Sequence, residues 1–269
     1  MSFDNPEKIK EKVPEIKPEE EQNPFKPIQE ISEKRGLKIL VYGDSGSGKT
    51  YLGLTGNAPI AVIDTERGTS PLKNNFVDKI INVCEINFKG SERNVMENDE
   101  VKAFQNMASA VNFLTQQENK PKTILFDSVS DLWSYAQSYG KVKIFKLSPE
   151  DRIKFRFDWG KINNLHKRII NRLISCDSDV IFTARNQEEY DSAGNPMGNF
   201  KPQCQKNLPY DVDIIIEIRA KFIKTQTGVN KTRIFRIHKC RQKGDIEKKE
   251  YENLTIKKLQ ELIKEEESK

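Results

Sequence analysis

From residue 37 onward, short apolar runs alternate with stretches of helical spacing. Leu37-Lys38-Ile39-Leu40-Val41-Tyr42 reads as a buried strand. Further runs follow at Ala58–Asp64, Lys79–Cys84, Thr123–Asp127 and Asp179–Ala184. Between them, Asn98–Gln117 places Val101, Phe104, Met107, Ala108, Val111 and Leu114 at helical spacing. Val129–Tyr139 also reads as a helix. Phe157–Ser175 puts Ile162, Leu165, Ile169, Ile170, Leu173 and Ile174 on one helical face. The pattern changes near residue 211. Val212–Ile223 and Thr232–His238 are β-rich and flank a turn-forming segment, Lys224–Lys231, which predicts an antiparallel hairpin. Thr255–Glu266 sets Ile256, Leu259, Leu262 and Ile263 on one helical face before a charged end. The expected fold is α/β, a mostly parallel sheet with helices on both faces and a C-terminal antiparallel β-hairpin.

Residues 1–33 break the pattern. Pro6, Pro14, Pro18, Pro24 and Pro27 stand among many Glu and Lys, and such a segment buries too little apolar surface to offset its ordering entropy. The expected organisation is a disordered or loosely packed arm over 1–33, a core over 34–250, and a C-terminal helix with charged tail over 251–269. The composition agrees: 36% of 269 residues are hydrophobic and 32% charged, as when polar tails dilute an ordinary core. A net charge of +5 permits nucleic-acid binding without demanding it. Cys84, Cys176, Cys204 and Cys240 lack C-x-x-C spacing, which argues against a zinc site or a disulfide framework. No apolar stretch approaches the ~18 residues of a membrane span, and Met1–Pro6 has no signal-peptide core. The expectation is a soluble, cytoplasmic protein with no membrane partner.

The most specific chemistry lies at Gly43-Asp44-Ser45-Gly46-Ser47-Gly48-Lys49-Thr50, a complete G-x-x-x-x-G-K-[ST] phosphate-binding loop. Glycines let successive backbone N–H groups turn inward toward an anion. Lys49 would reach the β- and γ-phosphates of ATP, and the Thr50 hydroxyl would hold Mg²⁺. The loop follows an apolar strand, and Thr50-Tyr51-Leu52-Gly53-Leu54 can open a helix that adds its dipole to the site. Asp127 ends a later strand, where ligands gather in parallel sheets. It is the candidate second metal residue, assisted by Ser128; the competing reading is a cap on the next helix. Glu66, in Asp64-Thr65-Glu66-Arg67-Gly68, is the candidate general base, provided that its strand lies near the first; Asp64 is the alternative. Arg185, Asn186 and Gln187 follow the strand 179–184 as candidate γ-phosphate sensors.

The phosphate loop, Asp64–Gly68, Leu125-Phe126-Asp127-Ser128, Asp158-Trp159-Gly160 and Ile181-Phe182-Thr183-Ala184, taken in order, resemble RecA-like P-loop ATPases of viruses and phages. The nearest group is the core-only RecA-type single-strand annealing proteins, over about residues 35–245. The resemblance implies a RecA-like NTPase core that binds ATP between adjacent subunits of a homo-oligomer and acts on single-stranded DNA in recombination, annealing or replication. It implies Glu66 as general base and Asp127 as the strand-end acid. His238-Lys239-Cys240-Arg241 matches a Lys-x-Arg element of that family, making Lys239 and Arg241 candidates for cations that act on a neighbour's nucleotide; a plain basic strand end is the other reading. Related sequences often carry histidine where this chain has Arg185.

Single-strand binders combine cationic grooves with aromatic stacking surfaces. Two segments offer both. One runs from Lys141 to Lys146 and on through Arg152, Lys154, Phe155, Arg156 and Phe157. The other is a long loop, Glu188–Leu208, with Tyr190, Phe200 and Lys201. A solvated basic helix and a mobile lid are the alternatives. A packaging or helicase-type motor and a nucleotide-switched scaffold would share the same core.

Overall fold

The computed structural model describes residues 35–86, 99–116, 120–148, 151–153, 156–225 and 228–265. The arm expected over 1–33 lies outside them. In chain order the elements are β1 (Lys38–Gly43), α1 (Lys49–Leu54), β2 (Ile60–Asp64), β3 (Ile81–Glu85), α2 (Asp99–Gln116), β4 (Thr123–Asp127) and α3 (Val129–Tyr139). Then come α4 (Arg156–Ser175), β5 (Asp179–Tyr190), β6 (Pro196–Gln203), α5 (Leu208–Asp211), β7 (Ile214–Thr225), β8 (Gly228–Cys240), β9 (Glu250–Glu252) and α6 (Ile256–Lys264).

One sheet runs β3-β2-β4-β5-β1-β7-β8-β9, with β6 paired to β5. The strands from β3 through β7 in that order are parallel neighbours. β8, β9 and β6 pair antiparallel. The central strands are near-continuously apolar because both faces are covered. Leu40, Tyr42, Phe126 and Phe182 point into a cluster with α2, α3 and α4. Ile39, Val41, Leu125 and Ile181 point the opposite way, toward Leu52 of α1 and Ile256 and Leu259 of α6. The period-2 alternation of each strand thus divides one apolar run between two layers.

Lys38 sits inside this apolar run and is fully buried. Its ammonium donates to the carbonyls of Cys176 (2.9 Å) and Ser178 (2.6 Å), just past the C-terminus of α4, where the helix dipole favours a cation. Burial lowers its pKa.

Two expectations need correction, and one condition, that the second strand lies near the first, is not met by the strand order. The segment 188–208 is not a long loop. β5 continues to Tyr190 and pairs with β6, and the Asp191 carboxylate closes the turn by accepting from the amides of Ala193 and Asn195. An exposed two-stranded ribbon buries neither face, so no apolar alternation marks it. The β7–β8 pairing continues to Thr225↔Gly228, leaving a much shorter turn than 224–231. Finally, β2 is not beside β1: β4 and β5 lie between them. At the C-terminus, Thr255 caps α6, and the Ile256 amide donates to Thr55 Oγ1 (2.9 Å). Among the described residues, no helix is long and apolar enough to cross a membrane.

Candidate functional site

The loop after β1 lies at the carboxyl ends of the parallel strands. Gly46 (φ 70°) and Gly48 (φ 108°) adopt left-handed backbone that side chains disfavour. A Cβ at Gly48 would also fall 2.6 Å from Arg233 Nε, so a side chain there would displace the arginine as well as strain the backbone. Lys49 Nζ donates to the carbonyls of Gly43 and Asp44, each at 2.9 Å, which folds the side chain back over the loop. Burial lowers its pKa, opposed by the nearby carboxylates of Glu66, Asp127 and Asp44. Ser47 Oγ is buried and has no hydrogen-bond partner among the described residues.

Thr50 Oγ1 donates to Asp127 Oδ2 at 2.6 Å. The Thr183 hydroxyl, on β5, donates to the other carboxylate oxygen. Burial pushes the Asp127 carboxyl up, against the lowering effect of those two bonds. Asp127 does not cap α3. Ser128 does, accepting from the Asp131 amide, and so serves the helix rather than the metal pair. The peptide between them is cis. A Cβ at Gly68 would lie 2.9 Å from Thr50 Oγ1 and 3.3 Å from Asp127 Oδ2. The loop after β2 therefore closes directly over the hydroxyl–carboxylate pair. That pair fits Mg²⁺, a hard cation that takes one or two protein oxygens and completes its shell with waters and substrate phosphates.

Asp64 organises this loop. Its Oδ1 accepts from the amides of Glu66 (3.1 Å) and Gly68 (3.2 Å), and Oδ2 accepts from Thr69 (2.9 Å). Buried and committed to three amides, it is no alternative base, which corrects that expectation. Glu66 reaches the phosphate loop although β2 is distant from β1, because the loop crosses the tip of β4. The Thr65 amide donates to the Asp127 carbonyl at 2.6 Å. Arg185 grips Glu66 Oε1 (2.8 Å) and Asp131 (2.9 Å) at once. Burial works against its charge, but the two carboxylates outweigh burial and raise its pKa. Among the described residues, only Oε1 of Glu66 is engaged. Asn186 donates to Asp44 Oδ1 at 2.8 Å, while its own buried Oδ1 has no partner. Lys49, Glu66, Asp131, Arg185 and Asn186 line one cleft of about 490 Å³, together with Gly43, Asp44 and Ser45. Gln187 is exposed and pairs with Lys201 in the ribbon, outside the cleft.

Other expected residues lie elsewhere. Tyr51 packs against Phe76 (ring centroids 5.2 Å apart) and beneath the Arg233 guanidinium (5.5 Å). Lys239 and Arg241 sit toward the amino ends of the parallel strands, since Cys240 between them pairs with Ile214, the partner of Ile39. They cannot reach this chain's own loop. Lys239 donates to the carbonyls of Pro209 (2.8 Å) and Val212 (2.7 Å), and Arg241 bonds the Tyr210 carbonyl and Asp213. Phe200 and Lys201 lie on β6, with Phe200 exposed and Lys201 3.8 Å from Glu189. The ribbon also carries Glu188 and Asp191, so it is not a cationic groove. Lys154 and the side chain of Arg156 lie outside the described residues.

Sequence reasoning missed three participants. Thr183 had a signal, being the one hydroxyl within an apolar strand run. Asp131 had a weak one, three residues after a serine that can cap. Arg233 had none, because only strand register brings it to Gly48.

Set beside known families, residues 35–238 match a family model described as an AAA domain. Comparison with curated proteins gives no match.

Proposed function

The chain belongs to the AAA domain family of P-loop ATPases, and from that premise we propose that it binds ATP with Mg²⁺, hydrolyses it, and acts on single-stranded DNA in recombination, annealing or replication. The observation that carries the enzymatic reading is the bond between Thr50 and Asp127 beneath the loop, with Glu66 held at the mouth of the same cleft as Lys49. The loop amides, and Lys49 on leaving the carbonyls of Gly43 and Asp44, neutralise phosphate charge. Glu66 accepts the proton of the attacking water through Oε2, while Arg185 fixes the carboxylate through Oε1. Thr50 and Asp127 would hold Mg²⁺, which would supply neutralisation of the phosphate charge. Arg185 and Asn186, where β5 runs past the end of β1, meet the terminal phosphate.

The DNA reading is supported by continuity along one strand. β5 carries Thr183 on Asp127, then Arg185 and Asn186 in the cleft, then exposed Tyr190, and its partner β6 carries exposed Met197 and Phe200. Aromatic faces of this kind stack bases without sequence preference. The motif order shared with RecA-like phage proteins supports the same partner. In a homo-oligomer with nucleotide between copies, Lys239 and Arg241 are the cations far from their own loop. Acting on a neighbour requires giving up their bonds to the 209–213 backbone and Asp213.

The test is steady-state hydrolysis with and without single-stranded DNA. Glu66→Gln is expected to retain ATP and lose turnover by about a hundredfold or more; full activity in it would exclude Glu66. Phe200→Ala is expected to weaken DNA binding and stimulation while sparing ATP affinity. Turnover indifferent to single strands but coupled to duplex translocation would assign a motor instead, and ATP binding without turnover a switched scaffold.

A further inference from the structure

The geometry points to Arg233, supported on the ring of Tyr51, as a cation of the nucleotide site contributed by this same chain and directed at the α-phosphate of a nucleoside di- or triphosphate. This rests on the nucleotide reading above and extends it to the other end of the ligand.

Strand register places the residue. Gly43 pairs with Ile218, Ile218 with Phe235, and two residues further along, Ala220 with Arg233. Arg233 thus lies just beyond the carboxyl end of β1. It shares the face of Phe235, which packs in the layer of α1. Its Nε and Cδ would be 2.6 and 2.9 Å from a Cβ on Gly48, so the side chain rests directly on the phosphate loop.

Most arginines near this sheet are charge-matched; Arg236, on the other face of β8, shares with Arg233 a buried Nε without a partner but does not lie against the phosphate loop. Arg185, Arg219 and Arg241 are each matched by a carboxylate. Among the described residues the Arg233 side chain has no ion pair and no hydrogen bond. Its Nε is buried without a partner, and its one contact of note is the Tyr51 ring, 5.5 Å from Cζ. An aromatic face orients a guanidinium without neutralising it. A desolvated donor left unmatched is costly, and a phosphate oxygen is the acceptor its planar fork suits best.

The end of the ligand follows from the opposite wall. Lys49, Glu66, Arg185 and Asn186 line the cleft that takes the terminal phosphate, and neither Tyr51 nor Arg233 borders it. A phosphate chain with its terminal end there passes the later amides of the loop and leaves beside Gly48 and Tyr51, α-phosphate last.

The test is titration calorimetry with MgADP and with a non-hydrolysable MgATP analogue. Arg233→Ala is expected to raise both dissociation constants about tenfold, by the same factor, with Arg233→Lys recovering part of the loss. An ADP affinity within about twofold of wild type, or a loss confined to the triphosphate, would overturn the inference. The apo melting temperature monitors folding. Should Arg233→Ala not fold, Arg233→Lys and Tyr51→Leu carry the same test, each expected to weaken both nucleotides equally. Lys49→Ala separates the two levels of argument. If wild type binds neither nucleotide, the nucleotide reading itself fails. If Lys49→Ala loses ADP and the Arg233 variants keep it, only the role of Arg233 fails.

Discussion

Asp127 shows how one side chain comes to be specified three times. Its strand places it at the carboxyl edge of the sheet, the Thr50 hydroxyl holds one oxygen, and the Thr183 hydroxyl holds the other. The carboxyl is buried and its pKa raised, and the two hydroxyls hold it in the orientation that the proposed Mg²⁺ site requires. Partners one step removed from a metal commonly change affinity by roughly tenfold to a hundredfold. Thr183→Val keeps the shape of β5 and removes one donor. It is expected to raise the Mg²⁺ concentration needed for half-maximal hydrolysis by about tenfold; an unchanged Mg²⁺ dependence would separate Thr183 from the metal pair. Residues of this kind differ in legibility. Gly48, Lys49 and Thr50 are dictated by backbone chemistry within eight consecutive positions, so the sequence displays them. Glu66 and Asp127 are visible as acids at strand ends. The three amides that consume Asp64 become visible only when the loop closes, and Arg233 depends on two successive strand registers.

At the scale of elements, the helices were readable because each buries one face. α4 places Ile162, Ile169, Ile170 and Leu173 in the core, on the spacing the sequence displays. The same face carries His166, which is buried, edge-on to Trp133 of α3 at 5.5 Å, with Nε2 lacking a partner among the described residues. Burial pushes its pKa down from 6.5 to about 4. The folded state therefore resists a proton that the unfolded chain accepts. Stability is expected to be full above the unfolded value and to fall as pH drops from 6.5 toward 4, by roughly 3 kcal/mol at most for this group. His166→Phe should flatten that slope in melting temperatures measured across this window; an unaltered slope would show that other groups govern acid sensitivity. The β5–β6 ribbon was illegible for a complementary reason. Its strands have no core to face, so the only local sign is the turn Asp191-Ser192-Ala193-Gly194-Asn195. The β7–β8 hairpin was visible by its β-rich residues, while the length of its turn was not.

For the whole molecule, the strand order explains why the site forms where it does. β5 lies between the loop strand β1 and the Asp127 strand β4, which lets Thr183, Arg185 and Asn186 stand between the loop and the acid. Alternation of strands and helices predicted the parallel sheet, but it carries no information on strand order, so it left open whether β2 lies near β1. The same order sends Lys239 and Arg241 to the opposite end of the sheet, where any role at a phosphate belongs to a neighbouring copy. The loop is the proposed seat for MgATP. Titration calorimetry of the full chain with MgATP, beside Lys49→Ala, tests this most directly. A saturable heat with wild type, weakened at least tenfold in a folded Lys49→Ala protein, is the expected result. Equal affinity in the two proteins, or no heat from wild type with ATP or GTP, would contradict it.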